Sequence, residues 1–281
     1  MIKRIGIRMM PWLAGAALTV LAGCAAAQPA NKSDSSGKLA TFSDMESEDP
    51  AVQLDLLKHQ MLQTEQKVIG LSFQLEHGRD AKMQMVRFPS GKQLIPGYVF
   101  TKPDMAPEAR LPAVVLVHGG FHEHLDIEWF PLIVEMVKRG YVVMWPEYRG
   151  SQGYGETIYK NDYGTTDIAD VLAASAYIAG KSFVDPARLA VVGESRGGML
   201  TLLAIQQEPD RFKAAVDIVG LTDFVAYMAY KPEYRRQQIA KENPGFGGKL
   251  PDTNLAAYMK VSPINHVDKI KTPLLVLATT G

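Results

Sequence analysis

Leu189-Ala190-Val191-Val192-Gly193-Glu194-Ser195-Arg196-Gly197-Gly198 is a continuous apolar run that breaks into a glycine-flanked serine and gives way to a helical stretch, Met199–Gln207. A G-x-S-x-G pentapeptide alone is common. Set between a strand and a helix, it forms a strained turn with glycines where a Cβ would clash. Such a turn lifts the serine oxygen into the open and aims the next backbone N–H at a reacting carbonyl. Ser195 is therefore the candidate nucleophile, and the Arg196 amide a candidate oxyanion donor.

The flanking sequence predicts the sheet that such a turn needs. Continuous apolar runs recur at 113–117, 141–145, 189–192, 214–219 and 274–278. Continuous rather than alternating hydrophobicity marks strands buried on both faces, hence a mostly parallel sheet with helices on both faces. A hairpin is expected over 83–88 and 94–101, across Pro89-Ser90-Gly91. Helices are expected over 129–139 and over 167–179, the latter with Thr166 as N-cap and Ile168, Val171, Leu172, Ser175 and Ile178 on one face. A helical insertion over the site is expected at 224–241, where Tyr227, Met228, Tyr230 and Tyr234 could line an apolar pocket or simply pack. Right-handed crossovers place the reactive loops at the carboxyl ends of the strands.

One of those loops completes the oxyanion hole. The 113–117 run ends in His118-Gly119-Gly120-Phe121, where glycines free backbone N–H groups; Gly120 is the preferred donor and Phe121 the alternative. His118 is assigned to supporting the loop. His118, His122 and His124 fall within seven residues, yet a loop committed to oxyanion binding argues against convergence on a metal, so no metal is expected.

With both elements in place the sequence resembles the α/β-hydrolase fold, specifically the catalytic domain of the prolyl oligopeptidase (S9) family and its dienelactone-hydrolase-like relatives. Further marks are Glu147-Tyr148-Arg149-Gly150-Ser151-Gln152-Gly153-Tyr154-Gly155, Val184-Asp185-Pro186-Ala187-Arg188-Leu189 and Ser262-Pro263-Ile264. The resemblance implies hydrolysis of peptide or ester bonds through an acyl-serine, without cofactor. With fewer than ninety residues before the first hydrolase strand, the propeller of the oligopeptidases is absent, which implies an esterase or a small stand-alone peptidase. Glu147 and Arg149 are expected to be scaffold ion pairs.

The triad order in this fold is Ser, Asp, His. By the family's pattern the Asp would fall at about the first position after Gly281, and the His after one more strand. Neither is in this chain, which is expected to lack the last strand and helix, to be nearly inactive as written, and to be a sequence cut short. His266 lies before the last run, ~17 Å from the reactive edge at ~3.3 Å per strand residue, and is assigned to the surface. Asp223 is at the correct edge without an evident base to orient. His122 and His124 could approach from the oxyanion loop.

Composition narrows the remaining classes. The chain has 281 residues, 47% of them hydrophobic, which allows a full core in one main domain. Thirty basic and thirty acidic residues cancel, so no basic field favours nucleic acid. Residues 1–23 read as a signal peptide: Lys3, Arg4 and Arg8, an apolar run too short to span a bilayer, then Leu21-Ala22-Gly23-Cys24. That tetrapeptide resembles the bacterial lipobox, which makes the single cysteine, Cys24, the expected lipidation site. The resemblance implies a lipid-anchored envelope protein, facing the periplasm from the outer membrane because Ala25 rather than Asp follows. Residues 24–50 are expected to be a flexible tether. Residues 51–281 form the hydrolase domain, opened by an amphipathic helix over 51–69 with Val52, Leu54, Leu57, Met61, Leu62 and Val68 against the domain's edge. The alternative from a different class is a catalytically dead lipoprotein using the fold for binding; partners are then a peptide or small ester, or a bound ligand, and the membrane.

Overall fold

A computed structural model describes residues 49–279. The expected signal segment, Cys24 and the expected tether up to Glu48 lie outside the described residues. The chain opens with α1 (Pro50–His77), capped by Asp49, whose carboxylate accepts from the Ala51 amide, with Pro50 in the first turn. This helix is longer than the 51–69 expected and is turned differently. Ile69 and Phe73 are its buried residues, Phe73 stacking edge-on against Phe130, while Leu54, Leu57, Met61 and Val68 face solvent. The spacing of apolar residues over 51–69 alone predicts those four residues inward. The period was right, but the phase is set by the two large side chains further along.

Strands β1 (Lys82–Ser90) and β2 (Gln93–Thr101) form the hairpin. There follow β3 (Leu111–Val117), α2 (Phe130–Lys138), β4 (Val142–Pro146), α3 (Glu156–Tyr159), α4 (Thr166–Ala179), β5 (Val184–Glu194), α5 (Arg196–Gln207) and β6 (Ala214–Ile218). The chain then runs through α6 (Phe224–Ala229), α7 (Glu233–Glu242) and α8 (Leu255–Lys260) to β7 (Leu274–Leu277). The seven strands are ordered β1-β2-β4-β3-β5-β6-β7; β3, β4, β5, β6 and β7 are mutually parallel. Alternate residues of the parallel strands feed opposite faces. Val114 and Leu116 pack with α1 and α2, and Ala113, Val115 and Val117 pack with α4 and α5. This is the α/β-hydrolase fold.

Two local expectations change. Thr166 does not cap α4: the N-cap is Thr165, and the Thr166 hydroxyl bonds the preceding turn, donating to Asn161 Oδ1 and accepting from the Asp162 amide. The 224–241 insertion is two helices, because Pro232 has no N–H to continue α6 into α7. β7 lies at the sheet's edge with Leu275, Val276 and Leu277 exposed.

Candidate active site

Ser195 sits at the carboxyl end of β5, the strand between β3 and β6, with φ 55° and ψ −114°. A non-glycine residue in that region stores of the order of 1–3 kcal/mol and persists only where the surroundings over-determine it. Here they do. The Ser195 amide donates to Ile218 O at 2.8 Å, and its carbonyl accepts from Met199 N at 3.1 Å and Leu221 N at 3.3 Å. A Cβ on Gly193 would stand 2.1 Å from Gly197 O, and one on Gly197 2.1 Å from Val117 O. Neither position has room for a side chain, so the turn is locked between β3 and β6.

The loop after β3 passes directly beside it, a Cβ on Gly119 falling 3.3 Å from the Ser195 Cβ. Four consecutive carbonyls of this loop are held by side chains. Tyr148 donates its hydroxyl to His118 O at 2.7 Å, and His118 Nδ1 donates to Gly119 O at 2.8 Å. Arg196 Nη1 donates to Gly120 O at 3.3 Å and to Phe121 O at 2.9 Å. In a trans peptide the N–H points away from its C=O partner. Fixing the carbonyls therefore turns the Gly120 and Phe121 amides the other way, and among the described residues neither amide, nor that of Arg196, has an internal acceptor. Gly120 has φ +65°, which lets the loop reverse there.

Arg196 contributes more than its backbone N–H. Its side chain is 1% exposed and ion-pairs with the fully buried Asp167, Nη2 to Oδ2 at 2.6 Å, and its guanidinium lies over the Tyr163 ring at 4.6 Å. No signal in the local sequence announces this, since Asp167 belongs to α4 and meets Arg196 only in the assembled fold.

The histidines of the loop go three ways. His118 is stacked on Tyr148 and Trp145, with Nε2 3.0 Å from Ser151 Oγ, and burial pushes it down to about 3, so it stays neutral. It supports the loop, as expected. His122 donates from Nδ1 to Gly150 O and stacks on Tyr159; His124 donates to Leu125 O and faces Glu65. Among the described residues no histidine is hydrogen-bonded to Ser195 Oγ. His266 donates to Lys260 O, and Asp223 caps α6 through the Val225 and Ala226 amides, which occupies its carboxylate.

The expected ion pairing of Glu147 is corrected. Arg149 forms its pair with Asp170, Nε–Oδ2 at 2.9 Å and Nη2–Oδ1 at 2.7 Å. Glu147 is fully buried without a permanent cation, accepting from the Leu125 amide at 2.9 Å and Trp145 Nε1 at 3.2 Å, and burial pushes its carboxyl up to about 7. It braces the segment behind the loop. Glu194, next to Ser195, is held above the usual carboxylate range by partial burial and by nearby Glu123.

On the other side of the loop, the Phe121 ring contacts Tyr163 at 4.9 Å and Tyr227 at 6.2 Å, and Phe224 closes the group against Tyr227 at 5.5 Å. Of the four residues weighed for an apolar pocket, only Tyr227 joins this wall. Met228 is buried in the core, and Tyr230 and Tyr234 are exposed.

The same architecture recurs in known proteins. The chain is 32% identical over 181 residues to the acylamino-acid-releasing enzyme of Arabidopsis thaliana, covering 60% of this chain and 23% of that protein. It thus spans about a quarter of the length of this relative. It superposes on a Mycobacterium tuberculosis puromycin-hydrolyzing peptidase with a TM-score of 0.61 at 33% identity, over 70% of this chain and 30% of that one. The Pyrococcus horikoshii acylaminoacyl peptidase gives a TM-score of 0.59 at 25% identity, over 70% and 31%. Residues 129–281, more than half of the chain, match the prolyl oligopeptidase family, and the protein belongs to that family.

Proposed function

We propose that the protein is a serine peptidase or esterase in which Ser195 Oγ attacks the carbonyl carbon of a peptide or small ester. The observation that carries this reading is the pairing of a strained, half-buried serine at the carboxyl end of β5 with a loop whose carbonyls at 118–121 are all held by side-chain donors. In the reaction the Oγ–H proton passes to a base as the Oγ–C bond forms, and negative charge collects on the former carbonyl oxygen. The amides of Arg196 and of Gly120, or Phe121 in its place, are the donors assigned to that oxygen. Collapse breaks the C–N or C–O bond, the base returns the proton to the leaving amine or alcohol, and water then hydrolyses the acyl-serine. No cofactor enters this scheme. Among the described residues none is placed as the base or as the carboxylate that orients it: His266 donates to Lys260 O and Asp223 caps α6. The aromatic wall of Phe121, Tyr163 and Tyr227 suits an apolar group on the acyl side.

The test uses the full natural gene product. A fluorophosphonate probe should label it at Ser195 and p-nitrophenyl acetate should be turned over, both being lost in Ser195→Ala. A full product that neither labels nor turns over ester or peptide substrates overturns the enzyme reading in favour of a binding protein. Envelope attachment through a lipidated Cys24, at the outer membrane facing the periplasm, is a separate part of the proposal. Globomycin, which blocks lipoprotein signal peptidase, should make precursor accumulate; unchanged processing refutes lipidation.

A further inference from the structure

Helix α1 has two faces at helical spacing. One, through Leu62, Gln66, Ile69 and Phe73, packs on the domain, anchored by the buried Ile69 and Phe73. The other runs through Leu54, Leu57, Met61, Thr64, Val68, Leu71 and Leu75 at alternating intervals of three and four, and faces solvent. Leu54, Leu57, Met61, Val68, Leu71 and Leu75 are 54, 57, 71, 51, 64 and 85% exposed. Strict three–four alternation is a heptad seam, the pattern with which one helix packs into the holes of another; a helix lying on lipid presents a wider apolar face. Because Ile69 and Phe73 already hold the helix on the domain, association along the seam does not have to fold it first.

We propose that this seam is a dimer interface in which α1 of a second copy packs antiparallel to it. In an antiparallel pair each first-position residue of the heptad meets a fourth-position residue. Leu54 then packs against Leu71 of the second copy, Leu57 against its Val68, and Met61 against its Thr64, with the symmetric contacts repeating these. The charges beside the seam select the arrangement. In this register Lys58 lies opposite Glu65 of the second copy, and Glu65 opposite its Lys58. A shift of one heptad sets Lys58 against Lys58 or Glu65 against Glu65. Parallel pairing sets Lys58 beside Gln53 and Glu65 beside Gln60. Only the antiparallel register matches opposite charges twice. The Glu65 carboxylate, half exposed and 3.5 Å from His124 on its inner side, keeps its outer side open to such a contact.

The test is made on the full chain with Cys24→Ser, which removes the one native thiol. Sedimentation equilibrium should show a dimer. Chains carrying Met61→Cys should cross-link under oxidation to chains carrying Thr64→Cys, and Met61→Cys chains should not cross-link to one another. The double variant Leu57→Lys, Val68→Lys should be monomeric with unchanged helix content, its dissociation constant at least ~100-fold weaker than the parent's and its Tm independent of concentration, whereas the parent's Tm rises with concentration. Val276→Lys, on the exposed edge strand, should leave the dimer intact. The proposal is overturned by a parent chain that stays monomeric at ~100 µM, by self-linking of Met61→Cys, or by a dimer that survives the seam variant but not Val276→Lys. It is equally overturned if the monomer binds phosphatidylglycerol vesicles and the seam variant does not, since the occupant is then a membrane.

Discussion

Replacing Arg196 with methionine separates the structural work of this residue from its position in the elbow. The substitution keeps much of the side-chain volume and the backbone amide, but removes the guanidinium that neutralises Asp167 at 2.6 Å and holds the Gly120 and Phe121 carbonyls. Breaking a buried ion pair from one side costs about 3–5 kcal/mol, because the remaining charge stays buried without compensation. Removing the other charge as well, by Asp167→Asn, restores most of that: the asparagine oxygen still accepts from the Ile168 amide, which bonds Oδ1 at 2.8 Å in the parent. The double variant should therefore be more stable than Arg196→Met alone, with an interaction energy of at least about 2 kcal/mol. Urea unfolding followed by tryptophan fluorescence reads this directly. At a slope of about 2 kcal/mol per molar urea, Arg196→Met should move the midpoint down by about 1.5–2.5 M, and Asp167→Asn should recover at least half of the shift. Two single effects that simply add, within ~0.5 kcal/mol, would refute the ion pair as the anchor of the loop.

Three further outcomes follow from the same geometry. Ser195→Gly should be more stable than Ser195→Ala by about 1 kcal/mol, since glycine occupies φ 55° without strain, and equal thermal midpoints would remove strain from the account. Gly197→Ala should destabilise by about 3 kcal/mol or more, because its Cβ would meet Val117 O at 2.1 Å, whereas Gly140→Ala, where nothing lies within 4 Å, should lose only the smaller cost of its φ +91°; comparable losses would contradict the packed elbow. For Glu147, the folded chain keeps the proton up to about pH 7 while the unfolded chain releases it near 4.5, so folding binds a proton and this residue's contribution falls as pH rises through that window. His118, neutral down to about 3 when folded against 6.5 when unfolded, tilts the opposite way below pH 6.5, so the informative quantity is a difference. Glu147→Gln should gain stability relative to the parent progressively from pH 4.5 to 7, by up to a few kcal/mol; a pH-independent gap would show that Glu147 is ionised throughout.

The strands were legible because a sheet covered on both faces imposes continuous apolar runs, and that pattern marks β3, β4, β6 and β7 to within two residues of their ends; β5 begins at Val184, five residues before its run, because Asp185-Pro186-Ala187-Arg188 interrupts the apolar pattern. The turn at Ser195 was legible for a related reason: its glycines answer to backbone atoms within reach of the turn itself. What could not be read belongs to pairs distant in the chain. Asp167 and Arg196, or Asp170 and Arg149, are ordinary charged residues until α4 is laid against the sheet. Glu147 beside Arg149 has the look of half an ion pair, yet the Glu147 carboxylate accepts from the Leu125 amide while the Arg149 guanidinium bonds Asp170 of α4. The phase of α1 departs from that expectation because Phe73, beyond residue 69, outweighs the smaller apolar side chains before it.

The elbow's hydrogen bonds also set an order on its birth. Ser195 is constrained from both sides: Val117 of β3, made about eighty residues earlier, crowds the turn at Gly197, and the hydrogen bonds to Ile218 and Leu221 come from chain made later. As the chain leaves the ribosome, the serine cannot be fixed in its strained conformation until residue 221 has emerged. Until then the segment is free to relax into an ordinary turn. The strained geometry is thus acquired only after the greater part of the sheet has been synthesised.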